Sequence, residues 1–242
     1  RDGIAQPQQR RAAARMSEGI SDAIVHHILG LELEPSVIAS VPTTQFDIFA
    51  LREEHENAYD LAVRVCVELF DQSGFLTAFN CTRETACRFV LACRDKYRFV
   101  PYHNFYHAVD VMQTVYTFLF TGKVCALLGP LECYVLLITA LVHDLDHMGL
   151  NNSFHLKTDS PLGMLSSASG NNSVLEVHHC NEAIGILSDA SRNVFGGLSV
   201  KETTFAYRRM IDCVLATDMA RHNDLSQQYD AMVTAGFAAD NE

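Results

Sequence analysis

Leu131-Glu132-Cys133-Tyr134-Val135-Leu136-Leu137-Ile138-Thr139-Ala140-Leu141-Val142 runs directly into His143-Asp144-Leu145-Asp146-His147. A helix over the first part is apolar on nearly every face, which marks a helix enclosed by others rather than laid on a surface. Pro130 suits its first turn. The apolar run from Cys133 to Val142 falls well short of the roughly 20 residues a membrane-spanning helix needs. A buried helix is therefore aimed at a cluster of imidazoles and carboxylates. Burying that many ionisable groups is costly unless they are paired with one another or with a metal.

Outward from this helix the hydrophobic spacing stays helical. Ala58, Leu61, Val65 and Leu69 form one stripe, and Ala86, Phe89, Val90, Cys93 and Tyr97 another. Thr82 is placed to cap the second of these helices, and Ser199 with Glu202 has capping-box spacing ahead of an apolar run. Loops are signalled at Thr121-Gly122, across 166–172, at Gly196-Gly197 and in the polar tail 238–242. No alternation of period two is sustained, and no repeat occurs. The expected fold is all-α, a compact bundle of many short helices.

The 242 residues, 48% of them hydrophobic, suffice for one sizeable domain. A net charge of −11 argues against nucleic acid or an anionic membrane as the main partner, because both reward clustered Lys and Arg. A phosphate substrate would then need local positive charge, which bound metal supplies. Residues 1–15 are basic and Gln-rich, with no apolar core of a secretory signal, and read as a linker. Eight cysteines lie mostly within helical apolar patterns and form no C-x-x-C unit, so free thiols and a cytoplasmic, reducing location are expected.

Histidines are unevenly placed. His103 and His107 are four apart, as are His143 and His147, a spacing that puts each pair on one helical face; His178 and His179 are adjacent. Neutral imidazole suits zinc, carboxylate suits zinc and magnesium alike, and Asp144 is the natural bridge between two ions. Two such ions polarise a water and clamp a phosphoryl oxygen, the arrangement of a phosphoesterase. An adjacent His-Asp pair with a distant His is also the mark of the broad HD class of metal-dependent phosphohydrolases, which gives the reaction type but not the substrate.

From Phe46 onward the chain resembles the catalytic domain of the eukaryotic class I cyclic-nucleotide phosphodiesterases. The resemblance rests on Phe46-Asp47-Ile48-Phe49, on Pro101-Tyr102-His103-Asn104 with His107, and on His143-Asp144-Leu145-Asp146-His147-Met148-Gly149-Leu150-Asn151-Asn152. It continues through Ser173-Val174-Leu175-Glu176-Val177-His178-His179 and Ala216-Thr217-Asp218-Met219 with His222. Residues 1–45 then read as a linker with lead-in helices, and 46–242 as the N-terminal and middle parts of the catalytic domain. The matching segments read slightly closer to protozoan than to mammalian members.

This resemblance implies hydrolysis of 3′,5′-cyclic AMP or GMP to the 5′-monophosphate, ending a cyclic-nucleotide signal. By position it implies that His107, His143 and Asp144 are zinc ligands, with Asp144 also reaching a second ion, magnesium or manganese. It makes His103 the general acid that protonates the leaving O3′, a task that suits an imidazole titrating near neutral pH. His147, Asn152, Glu176, His179 and Thr217 would hold waters on the second metal or steady the phosphate. Tyr102, Asn104 and Met219 would line or support the nucleotide pocket. For Asp218 and His222, hydrogen bonding between helices is the expectation.

The family also uses a further Asp at the metal site and a purine-binding Gln, and neither is identifiable here. Both are expected beyond Glu242, so the choice between cAMP and cGMP is not readable. Another HD phosphohydrolase is the runner-up, and a non-catalytic helical module that keeps its metal for folding is the third reading. His103 argues against the third, because a purely structural metal has no use for a free imidazole beside its ligands. A homodimer is compatible with each reading.

Overall fold

The computed structural model describes residues 20–236, and every regular element among them is a helix. In chain order these are α1 (Asp22–Gly30), α2 (Pro35–Ser40), α3 (Ile48–Glu54), α4 (Ala58–Ser73), α5 (Phe75–Ala78), α6 (Arg83–Lys96) and α7 (Phe105–Phe120). Then follow α8 (Pro130–Val142), α9 (Asn152–Lys157), α10 (Pro161–Ala168), α11 (Val174–Leu187), α12 (Val200–Ala216) and α13 (His222–Ala235). Two short 3-10 turns, Val124–Ala126 and Met219–Arg221, complete the set. The linker assigned to residues 1–15 and the polar tail 238–242 lie outside the described residues.

The decisive stretch forms α8, which packs against α7 and α12 and also touches α6 and α11. Nine of its residues are buried, from Cys133 through Val142 with only the half-buried Leu136 interrupting. Each fully buried aliphatic side chain contributes about 1.5–3 kcal/mol through removal from water. Its two buried polar groups are satisfied: the Thr139 hydroxyl donates to the Val135 carbonyl at 2.7 Å and the Tyr134 hydroxyl to the Val194 carbonyl at 2.8 Å. The Glu132 carboxylate accepts from the Gly129 N–H at the helix start. No helix among the described residues is long and apolar enough to cross a membrane.

Both apolar stripes are buried, and the caps fall where the residue types place them. Thr82 accepts from the Thr85 N–H, and Ser199 and Glu202 make the reciprocal box. In Phe46-Asp47-Ile48-Phe49 the Asp47 carboxylate caps α3, accepting from the Phe49 and Ala50 N–H groups, while Ile48 is fully buried. One buried cation escaped the hydrophobic pattern: Arg94, 2% exposed, bonds Asp60 and Asp95 and lies 5.6 Å from the centre of the Tyr59 ring, tying α6 to α4. All eight cysteines are free. The expected loop over 166–172 is shorter than its composition suggests, because Ser160 caps α10 and the helix continues through Ala168.

Candidate metal centre

The histidine pairs do not share helical faces as their spacing suggests. His103 lies before α7, because Asn104 is the cap: its Oδ1 accepts from the Tyr106 and His107 N–H groups, while its Nδ2 donates to the Val100 and Pro101 carbonyls. Asn104 is thus engaged on both sides in fixing the segment that carries His103. Likewise α8 ends at Val142, His143 caps it, and Asp146 turns the chain with φ +60°, so a tight turn rather than a helix presents His147. Both pairs nonetheless converge, delivered by a helix N-terminus and a helix C-terminus that meet.

At the meeting point the side chains of His107, His143 and Asp144 are 14%, 12% and 13% exposed. Asp144 Oδ2 lies 3.1 Å from His143 Nε2 and 3.4 Å from His107 Nε2, and Asp144 Oδ1 lies 3.7 Å from His179 Nε2. The potential ligand atoms form two groups sharing Asp144, one with His107 and His143 and one with His147 and His179, each spanning no more than 4.8 Å.

Backbone contacts fix the tautomers. His143 Nδ1–H donates to the Ala140 carbonyl at 2.9 Å, and His179 Nδ1–H to the Leu145 carbonyl at 2.6 Å. In the neutral ring each Nε2 then presents a lone pair toward a carboxylate oxygen. Two lone pairs at 3.1 Å are held together only by a positive charge on or between them, a proton or a metal ion. The donor set therefore fits a divalent cation, with one Asp144 oxygen turned to each group. His147 differs: its Nδ1 accepts from the Gly149 N–H at 2.9 Å, which leaves Nε2–H as a hydrogen-bond donor.

The titration directions follow. Burial would push Asp144 up, but hydrogen bonds from His107 and His143 hold it far below the usual carboxylate range. Burial lowers His143, yet the adjacent Asp144 more than offsets this and the ring sits above its ordinary value. His179 is pushed down to about 4 by burial, with Asp144 partly opposing. His103, its ring 3.8 Å from that of His147, is lowered by burial, again partly opposed by Asp144. The expectation that His103 titrates near neutrality without a shift thus differs from the fold, which desolvates it.

The remaining predicted residues divide. Asn152 donates to Glu176 Oε2 and accepts from the Leu175 N–H, both at 2.9 Å, pinning the start of α9 to α11; burial raises the Glu176 carboxyl. Tyr102 stands over the centre, 65% exposed, its ring 4.7 Å from that of His107. Thr217 donates to the Val214 carbonyl of its own helix, and Met219 is 75% exposed; neither is hydrogen-bonded to the cluster. Asp218 accepts from Ser173 Oγ at 2.7 Å and caps the following turn, the linking role expected of it. His222 begins α13 and is exposed.

Two supports escaped sequence reasoning. Tyr97, read only as core, donates its hydroxyl to the Leu141 carbonyl at 3.0 Å and accepts from the Asp144 N–H at 3.3 Å. Asp146 binds Arg98 at 2.6 and 3.0 Å and His178 Nε2 at 2.8 Å, clamping the turn from its far side. Asp146, His178 and Glu182 also have ligand spacing, but Arg98 and Lys96 already neutralise the two carboxylates. Only the position of Asp146 between the two histidines hinted at its importance.

A helical fold that gathers imidazole and carboxylate donors around one shared Asp carries the donor set that metal-dependent phosphohydrolases use. The family described as 3'5'-cyclic nucleotide phosphodiesterase matches residues 102–242, and the chain belongs to it. Among its relatives is the cGMP-specific 3',5'-cyclic phosphodiesterase of Drosophila virilis, 36% identical over 163 residues, or 67% of this chain and 18% of the fly protein. The Drosophila melanogaster protein of the same description is 34% identical over 191 residues, 79% of this chain and 17% of its own. The solved structure of LmjPDEB1 from Leishmania in complex with IBMX is 52% identical, with a TM-score of 0.89, covering 93% of this chain and 66% of that one. The chain thus spans less than a fifth of the fly relatives.

Proposed function

We propose that the protein hydrolyses 3′,5′-cyclic nucleotides to 5′-nucleoside monophosphates in the cytoplasm; His107, His143 and Asp144 would hold zinc, and Asp144 would also serve a second ion, magnesium or manganese. The observation that carries this reading is the pair of imidazole Nε2 lone pairs, each fixed by its own Nδ1–H bond, turned onto the two oxygens of one buried carboxylate. When bound, the ions supply Lewis acidity, polarising the phosphate and a water. Asp144, held ionised, and the two neutral imidazoles provide the ligand charge.

His103 lies beside the centre on a segment fixed by Asn104 and carries the proton given to O3′ as a water oxygen bonds to phosphorus and the P–O3′ bond breaks, the water's own proton passing to solvent. Burial lowers its affinity for that proton, and the anionic phosphate drawn alongside offsets the shift. His147 Nε2–H donates toward the phosphate or a water on it, and Tyr102, with Met219, offers apolar surface to the base. Both cAMP and cGMP are substrates in this reading; the cGMP specificity in the fly relatives' names supports including cGMP.

The test is incubation of the purified protein with each cyclic nucleotide, followed by separation of 5′- and 3′-monophosphates. Formation of the 5′ product, abolished by a chelator and restored by zinc with magnesium, is expected. Hydrolysis of other phosphate esters with none of either cyclic nucleotide would favour the broader HD phosphohydrolase reading and refute this one.

A further inference from the structure

The segment that carries Tyr102 and His103 also walls a cavity of about 510 Å3, which includes none of the clustered histidines or Asp144. Aromatic rings form part of its wall, beside the polar groups of Arg52, His55, Glu56 and Asn104. Tyr59, Phe99 and Tyr106 line it, with the Tyr59 and Phe99 rings stacked at 5.7 Å and Tyr59 edge-on to Tyr106 at 5.6 Å. The Arg52 guanidinium lies 5.4 Å from the centre of the Tyr106 ring and, among the described residues, has no carboxylate partner. Neither the Tyr59 nor the Tyr106 hydroxyl has a hydrogen-bond partner among those residues. Glu56 adds one carboxylate to the lining.

These groups specify a chemistry. Flat aromatic faces recognise a flat ring by stacking, and a guanidinium without a carboxylate partner recognises an anion. Glu56 disfavours a polyanion and accepts from an N–H donor, while a purely apolar molecule would leave Arg52 and both phenols without partners. The volume falls within the usual range for small-molecule sites, about 300–1,000 Å3. We propose that this cavity is a second ligand site, for a planar aromatic ring bearing one anionic group and an N–H donor.

The site touches the metal centre only indirectly. Pro101 and Asn104 line it and flank Tyr102 and His103 in the chain, and Tyr59 meets Phe105 edge-on at 5.5 Å, which in turn lies 6.2 Å from Tyr97. A bound ring therefore braces the segment that carries His103 without sharing a residue with the histidine cluster.

The test is a titration of the purified protein with anthranilate (2-aminobenzoate), the smallest ring with these features, followed by saturation-transfer NMR. Saturable binding with Kd on the order of 1 mM is expected for so small a ligand. Phe99→Ala and Arg52→Gln, both at partly or fully exposed positions where folding is checked by circular dichroism, each weaken it by about 10-fold or more. His103→Ala leaves it unchanged, and benzamidinium, equally flat but cationic, binds far more weakly. Absence of saturation at twenty times that concentration would overturn the proposal. So would binding indifferent to both cavity variants, binding lost with His103→Ala, or equal binding of the cation.

Discussion

Tyr97→Phe removes one oxygen from a side chain that is 3% exposed and leaves no cavity, so it isolates the hydroxyl that joins α6 to the end of α8. Burial above all, and then the Asp144 charge, keeps this phenol protonated well above its usual range, so it is a neutral donor at any working pH. Without it the Leu141 carbonyl in the last turn of α8 loses its side-chain partner, and the Asp144 N–H loses a longer bond. A buried group left unpaired costs about 1–3 kcal/mol, and the long second bond adds little, so about 1.5 kcal/mol is expected. For a chain of this size that lowers the Tm by about 3–6 °C. Because Asp144 would also be less firmly aimed, zinc affinity, measured by competition with a chromophoric chelator, should fall by about 10-fold. A Tm within about 1 °C of the parent together with unchanged zinc affinity would refute the claim that Tyr97 holds the centre.

Three further outcomes follow from the geometry. His103→Ala should retain zinc while turnover of cyclic nucleotide drops by about 100-fold or more, and parent-like turnover would make His103 structural. Asp146→Ala and Asp146→Asn both lose the charge that pairs with Arg98 and His178, but asparagine keeps an amide oxygen that accepts from Arg98 and tolerates φ +60°, so urea unfolding should find the alanine variant less stable by about 1 kcal/mol; equal stabilities would remove both the backbone strain and the residual bond from the account. In metal-free protein, burial lowers His179 to about 4 when folded against about 6.5 when unfolded, so the unfolded state binds more protons between those values and His179 contributes a loss of stability of up to about 3 kcal/mol as pH drops from about 6.5 to 4; His179→Leu should flatten the pH dependence by that amount, while the parallel loss from His147, also lowered to about 4 by burial, remains.

Much of the fold was legible because its signals are local. An all-apolar helix, two one-sided stripes and caps at Thr82 and Ser199 depend on neighbours within a turn or two, and the buried face follows from them. Arg94 was not legible, since its partner Asp60 is on another helix and hydrophobic periodicity treats a buried cation as noise. Around the centre, residue types pointed to a cluster and the fold brings those side chains together, but spacing misjudged how it is built. A gap of four was read as one helical face, whereas α7 begins only after its Asn104 cap and α8 ends at Val142, so neither histidine pair lies within one helix. Tautomers set by the Ala140 and Leu145 carbonyls, and the Tyr97 bond, arise only once distant segments meet. Thr217 and Met219 show the converse: a motif singles them out, while their immediate contacts are with their own helix and solvent.

The central claim is that His107, His143 and Asp144 together hold a divalent ion, and anomalous diffraction at the zinc edge from crystals grown with zinc tests it most directly. A peak bonded to His107 Nε2, His143 Nε2 and Asp144 Oδ2 at about 2.0–2.2 Å is predicted. A zinc peak at Asp146, His178 and Glu182 instead, or no peak within bonding distance of Asp144, would contradict it.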